Sequence, residues 1–395
     1  MRKIAFLVVL TILALPLSAQ SSTYAEYETR HYRVLSELGD DHARTTALKL
    51  EALMYLYNDS FRFDLDELPV RLRARFFSSK ERYDAYLRRM IDTTRDDFVY
   101  LHYTDLARSE LVGYRTDDAS FEVALKHQGF VQFLRAFVPN PPLWLREGFA
   151  VYFEEVRFAE QYDHAEYREN LAWLETLQSI VDGSAGVSPI PLSRMLRMNV
   201  EQARSNIEVF YPQAWGMVSF LLNSPDRNHN RMIWDSISAL EPEASLSENS
   251  QNVWNRAFRW QPEEQLVESF LDYVAGRRSF RALVEEGIDA YSDGDLAGAE
   301  SRFMEAVDLR EDSFIPFYYL GLINYDRRNY AMADFYYKEA LARGSVEALT
   351  YYALGVNAYA DNRFEDAEIY LERTVSLDRA GYEEKATQLL ERIRG

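Results

Sequence analysis

Gly287, Gly321 and Gly355 stand 34 residues apart, as do Ala299, Ala333 and Ala367, and the aromatic residues Tyr291, Tyr325 and Tyr359. Three registers that agree on one period leave the last part of the chain few folds to adopt. Such a period holds two short helices and their turns, and a small residue at a fixed place in each helix lets the pair cross closely. One such pair cannot bury its apolar side alone, so the copies must stack. The expected structure over 277–395 is an all-α solenoid of three repeats, closed by a polar capping helix from Tyr382 to Arg394.

Leu320-Gly321 and Leu354-Gly355, with Ala306 and Ala340 at the next small position, make this pattern similar to that of tetratricopeptide (TPR) repeats. Thr374 departs from it, standing where the third repeat would have alanine. The resemblance implies a concave groove lined by the first helix of each pair. There Phe317, Tyr318, Tyr319, Tyr351 and Tyr352 are the candidate peptide-binding residues, because tyrosine supplies amphipathic contact area at low entropy cost. Packing of some of these rings between helices is the alternative.

The rest of the chain is long enough for a second body. Of 395 residues, 63 are acidic and 44 are Lys or Arg, a formal charge of -19, so no nucleic-acid partner is expected. Arg2 and Lys3, the apolar run Ile4 to Leu17 and the small residues Ser18 and Ala19 read as a signal peptide over 1–20. That run is short for a membrane span, so none is expected after cleavage, and the location is periplasmic or secreted. With no cysteine in the chain, disulfides and thiolate chemistry are excluded.

From residue 24 to about 120 the pattern alternates between strand and helix. His31 to Ser36 reads as a strand, Ala43 to Tyr57 as a helix capped by Asp40 or Asp41, Pro69 to Phe77 as a strand, and the residues after Ser78-Ser79 as a helix capped by those serines and running through Met90. The arginines that alternate through Pro69–Phe77 are expected on a solvated face. Less regular strands are expected near Phe98–Tyr103 and Leu111–Tyr114. Residues 121–137 form an amphipathic helix ended by Pro139, Pro141 and Pro142, and another helix opens at Trp144. The region from 156 to 275 reads as helical, with Trp254, Phe258, Trp260, Phe270 and Tyr273 expected to be buried.

Residues 142–154 read P-L-W-L-R-E-G-F-A-V-Y-F-E, and Tyr211 and Trp215 open a second conspicuous helix. With the strand and helix order before them, these segments resemble the gluzincin family called peptidase MA-like, or DUF1570-like, over residues 21–275. The resemblance implies an α+β lobe with a mostly helical middle. It also implies a zinc site built from H-E-x-x-H and a glutamate about twenty residues later, here Glu147. In such a site two histidines one helical turn apart ligate the metal, and the glutamate after the first is the base.

The first motif is degenerate. It reads His127-Gln128-Gly129-Phe130-Val131, so Gln128 occupies the general-base position and Val131 that of the second histidine. Only His127 and Glu147 keep ligand identities, as vestigial positions expected to hydrogen-bond to each other or to Gln128. Two ligands do not make a catalytic zinc site, and an amide cannot serve as base. The expectation is an exported, non-catalytic pseudo-metallopeptidase with a TPR interaction domain, a scaffold for a protein or peptide, with no cofactor. The alternative is an active zinc-dependent peptidase with compensating ligands, His102, His164, Glu122, Glu154 and Glu155 being the nearby candidates.

Overall fold

The structure is a computed structural model that describes residues 24–395; the signal-peptide reading of 1–20 lies outside the described residues. Two compact units divide the chain. The first takes in the chain up to Pro141, Phe149–Arg168 and Leu240–Asn249; the second takes in Pro142–Gly148, Glu169–Ala239 and Ser250–Gly395.

In the first unit, β1 (Ala25–Glu28), β2 (Tyr32–Ser36), α1 (Asp40–Phe61), β3 (Leu72–Phe77), α2 (Lys80–Ile91), β4 (Val99–Leu101), β5 (Glu110–Tyr114) and α3 (Asp118–Phe137) follow in order. The five strands form one sheet in the order β1-β2-β3-β5-β4, parallel at its centre and antiparallel at both edges. Alternation along β3 sends Leu72, Ala74 and Phe76 to one face and Arg73, Arg75 and Phe77 to the other. α1 and α3 cover the first face. Their apolar stripes meet in an aromatic cluster of Tyr57, Phe61, Phe130 and Phe133, joined by Phe149 and Phe153.

α2 covers the second face, where Phe77, Tyr83, Leu87, Leu101 and Val112 pack together. The arginine face is therefore only partly solvated: the Arg71 side chain is 50% and that of Arg73 33% exposed, while that of Arg75 is 14% exposed. Glu110 on β5 is only 2% exposed and accepts hydrogen bonds from Arg75 (3.0–3.2 Å), Arg73 (3.1 Å) and the Tyr86 hydroxyl (2.6 Å). A buried carboxylate needs such partners, and the periodicity of β3 alone does not reveal one supplied by another strand.

The helix ends follow local chemistry. α1 starts three residues earlier than its apolar run: Gly39, at φ 99°, takes the cap position, and Asp40 and Asp41 fill the first turn. α2 is capped by Ser79 as expected, and Asp117 Oδ1 accepts the Ser120 amide at the start of α3. After the proline break comes α4 (Leu143–Tyr152), then the short strand pair β6 (Arg157–Phe158) and β7 (Ala165–Glu166).

The second unit contains α5 (Leu174–Val181), α6 (Leu192–Met195), α7 (Val200–Arg204), α8 (Ile207–Asn223) and α9 (Arg227–Ser238). α10 (Leu246–Val253) runs into a π-helical turn, Trp254–Phe258, followed by α11 (Glu263–Gly276). Gly148 of α4 faces α8 so closely that a Cβ there would overlap the Ala214 carbonyl, which is the physical need for glycine in the W-L-x-E-G segment. Trp144 is fully buried and meets Phe258 edge to face. Phe258 and Phe270 are buried, whereas Trp260 is 77% exposed beneath the Arg259 guanidinium, correcting the expectation that it packs inside. A single tryptophan in a polar turn has no helical period to place it.

Three helical pairs follow in the same unit: α12 (Phe280–Ser292) with α13 (Leu296–Leu309), α14 (Phe314–Asp326) with α15 (Tyr330–Ala342), and α16 (Glu347–Ala360) with α17 (Phe364–Leu377), ending in α18 (Arg379–Arg394). The 34-residue period has a direct packing origin. A Cβ on Gly287, Gly321 or Gly355 would overlap Phe303, Tyr337 or Leu371 of the paired helix. Ala299, Ala333 and Ala367 are each 0% exposed. Thr374 sits fully buried in the third alanine's place, its hydroxyl donating to the Tyr370 carbonyl (2.9 Å), so the departure costs no unmade hydrogen bond. Ion pairs of Arg327 with Glu300, Arg363 with Asp334 and Arg394 with Glu368 tie successive pairs together.

Candidate functional site

Three places in the molecule gather chemically capable side chains. The first is the stretch that resembles a zinc motif. His127 lies mid-way along α3, mostly buried, with Nδ1 2.8 Å from Glu154 Oε1. Glu154 follows the end of α4, so the imidazole is oriented by a carboxylate 27 residues on. Glu147, on α4 in the second unit, is 7% exposed and accepts from Arg146 Nε at 2.7 Å.

Val131 is buried and apolar at the second histidine position. Of the compensating candidates, Glu154 is engaged with His127, Glu122 pairs with Lys49, and His164 is exposed beside Asp163 and Glu166. Among the described residues no three His, Asp or Glu side chains come together as a metal-holding group.

The second place was not foreseen. A cleft of ≈ 570 Å³ opens in the first unit between the first turns of α1 and α3, lined among others by Asp41, His42, Thr46, Lys49, Arg115 and Glu122. Ser36 Oγ accepts the Leu38 amide (3.0 Å) and shares a hydrogen bond with His42 Nδ1 (3.0 Å). Burial, with the Lys49 charge nearby, pushes the His42 pKa down to about 4, so the ring is neutral near pH 7. The Lys49 ammonium lies 4.8 Å from the Tyr162 ring and 5.4 Å from the Phe158 ring. Lys126, one turn after Glu122, is buried with its ammonium 5.7 Å from the same Phe158 ring, and burial lowers its pKa. The signal available in the sequence was charge at positions that the α1 and α3 stripes bury: Lys49 beside Leu50 and Lys126 beside Leu125.

The third place is the repeat array. α12 contacts α14 and α14 contacts α16, so the first helices of successive pairs lie side by side. Residues recurring every 34 positions form rows across them: Tyr318 and Tyr352; Ile288, Leu322 and Val356; and Tyr291, Tyr325 and Tyr359. All eight are partly exposed. The Tyr291 hydroxyl reaches across to Asp326 Oδ2 at 2.7 Å. Burial raises the Tyr318 pKa to about 12 and the Asp326 bond adds to burial in raising that of Tyr291, so both phenols remain protonated donors.

The five residues singled out from the sequence divide between surface and interior. Phe317 is 7% exposed, with the Arg343 guanidinium 3.9 Å from its ring centre. Tyr319 stacks on Phe303 at 4.9 Å and Tyr351 lies against Tyr370 at 6.1 Å, both between helices. Tyr318 and Tyr352 fall in the exposed rows, with Tyr318 also touching Tyr337 and Tyr352 touching Tyr382. Tyr291, Tyr325 and Tyr359 belong to the same face. Their 34-residue period is legible in the sequence, but it does not by itself show which face they occupy.

No protein-family model matches the chain, and no curated protein matches it. Among solved structures it is similar to the first TPR of Spaghetti (RPAP3) bound to HSP90 peptide SRMEEVD, with 20% identity over 29% of this chain and 90% of that one, at a TM-score of 0.28. The Arabidopsis OM64 TPR domain shows 16% identity over 29% of this chain and 93% of that one, at 0.28. MamA 41-end from Desulfovibrio magneticus RS-1 shows 19% identity over 36% of this chain and 90% of that one, at 0.26. The TPR-like character of the C-terminal helices rests on their own period and crossings.

Proposed function

We propose that this chain is an exported, non-catalytic pseudo-metallopeptidase whose TPR-like repeats bind a protein or peptide, so that the whole acts as a scaffold. The observation that carries the reading is the continuous tyrosine and aliphatic face of α12, α14 and α16, contact area whose rigid rings lose little entropy when a peptide settles on them. On the peptidase-like side, Gln128 offers no carboxylate to activate water and Val131 closes the helical face that a second imidazole would need. Binding without cleavage is chemically consistent, since the groups that hold a peptide are separable from those that cut it. The N-terminal charged and apolar runs support export, and among the described residues no helix is long and apolar enough to cross a membrane.

The test pairs two assays on the whole chain. A peptide array probed with the protein and with a Tyr318→Ala, Tyr352→Ala double variant should show binding that the variant loses. Incubation of casein or a peptide library with added zinc should show no hydrolysis. Zinc-dependent cleavage, abolished by a chelator and by Glu147→Ala, would overturn the non-catalytic reading. Array binding untouched by the double variant would overturn the role of the repeat face.

A further inference from the structure

The inference rests on the repeat face being a peptide-binding surface, and names the chemistry of its occupant. No lysine or arginine stands in the exposed rows of α12, α14 and α16. The carboxylate of Asp326 does sit at their edge, exposed and oriented by the Tyr291 hydroxyl at 2.7 Å. From Arg277 to Gly395 the chain has 23 acidic residues against 15 Lys and Arg. Four of the arginines in this stretch are paired with carboxylates: Arg302 with Glu286 and Glu305, Arg327 with Glu300, Arg343 with Glu339, and Arg363 with Asp334, Asp361 and Asp366.

A peptide carboxylate laid on this face would meet no cation in the rows. It would also lose its hydration beside a surplus of negative charge, which is costly. An ammonium or guanidinium would instead find the Asp326 carboxylate, the negative faces of the tyrosine rings and a favourable long-range field. The aliphatic row of Leu322 and Val356 between the tyrosines asks for apolar side chains as well. From this charge complementarity we infer that the repeat face takes an extended basic-apolar segment, one that mixes aliphatic or aromatic side chains with lysine or arginine, and discriminates against acidic peptides.

Fluorescence anisotropy on the whole chain tests this with three labelled peptides of one length and one apolar pattern, their polar positions filled by Lys, Gln or Glu. The Lys peptide is expected to bind about ten-fold more tightly than the Glu peptide, with the gap narrowing as ionic strength rises. Asp326→Asn should reduce that gap by about two- to five-fold while leaving the Gln peptide's affinity unchanged. Tyr325→Ala should weaken all three peptides, and Tyr325→Phe should restore most of the binding, which separates contact from misfolding. Equal affinities for Lys and Glu peptides that still fall with Tyr325→Ala would overturn the charge preference and leave the peptide-binding face intact. Affinities indifferent to both Tyr325→Ala and Tyr352→Ala, or no binding by any of the three peptides, would overturn the reading of the face itself.

Discussion

Replacing Glu110 by alanine should be among the most damaging single changes in the first unit. The carboxylate is 2% exposed and collects hydrogen bonds from two guanidinium groups and a phenol. Its loss leaves Arg75, whose side chain is only 14% exposed, without the carboxylate that holds its charge. Removing one member of a buried pair costs about 3–5 kcal/mol, because the remaining charge stays desolvated. That is a large part of an ordinary domain's stability of about 5–15 kcal/mol. Glu110→Gln keeps the shape and one acceptor, and should cost about half as much. Arg33→Ala, which removes half-exposed pairs with Glu26 and Glu28, should cost less than about 1 kcal/mol. All six tryptophans, at 144, 173, 215, 234, 254 and 260, belong to the second unit, so tryptophan fluorescence does not follow this change. The measurement is hydrogen exchange by mass spectrometry on the β3 and β5 peptides, read as opening free energies. A Glu110→Ala loss no larger than that of Arg33→Ala would refute the argument that this network is dry and obligatory.

Three further outcomes follow from the same structure. Gly321→Leu should destabilise the repeats by several kcal/mol, since its side chain would have to enter the space filled by the Tyr337 ring; thermal unfolding by circular dichroism checks it, with Ala331→Leu on an exposed position as the harmless control. Burial raises the Glu37 pKa, but the Arg82 guanidinium and Ser78 more than offset it and bring the value down to about 2. Its folded pKa is therefore below its unfolded one, and its contribution is present above about pH 5 and lost as pH falls toward 2; Glu37→Gln should flatten that part of the acid unfolding curve. His42 titrates with the same sign of effect, its folded pKa of about 4 being below the unfolded value. Stability should thus fall between about pH 6.5 and 4, and the ring's proton resonances should show no protonation until well below pH 6.

The two halves of the chain differ in how much of them can be read without coordinates. In the repeats one physical constraint recurs: helices that cross closely need a residue without a bulky side chain, so Gly321 against Tyr337 and Ala333 on the partner helix mark every copy at the same offset. In the sheet unit the alternation of β3 gave its faces, and the serine cap gave the start of α2. The nature of the second face did not follow, because it depends on Glu110, distant in sequence and contributed by a neighbouring strand. Pairings across long loops have no local period. The same holds for His127 with Glu154 and for Lys49 with Glu122, 73 residues apart.

That contrast bears on how the zinc-like stretch should be weighed. Residues 121–155 combine two kinds of information, and they separate cleanly. Gly148 against Ala214, Trp144 against Phe258 and the Phe130 and Phe149 cluster are packing demands, satisfied whether or not any metal ever binds. The ligand and base positions are chemical demands, and there Gln128 and Val131 fail while His127 is held by a carboxylate whose separation in sequence is not that of the motif. A resemblance built mainly on the first kind speaks of architecture, and only the second kind speaks of activity. Zinc content separates them experimentally. If the packing residues are all that this stretch retains, the purified chain holds well under one zinc by mass spectrometry under native conditions, and His127→Ala changes stability but not metal content. One tightly held zinc per chain, lost with His127→Ala, would show instead that ligands from outside the motif have kept the chemistry in place.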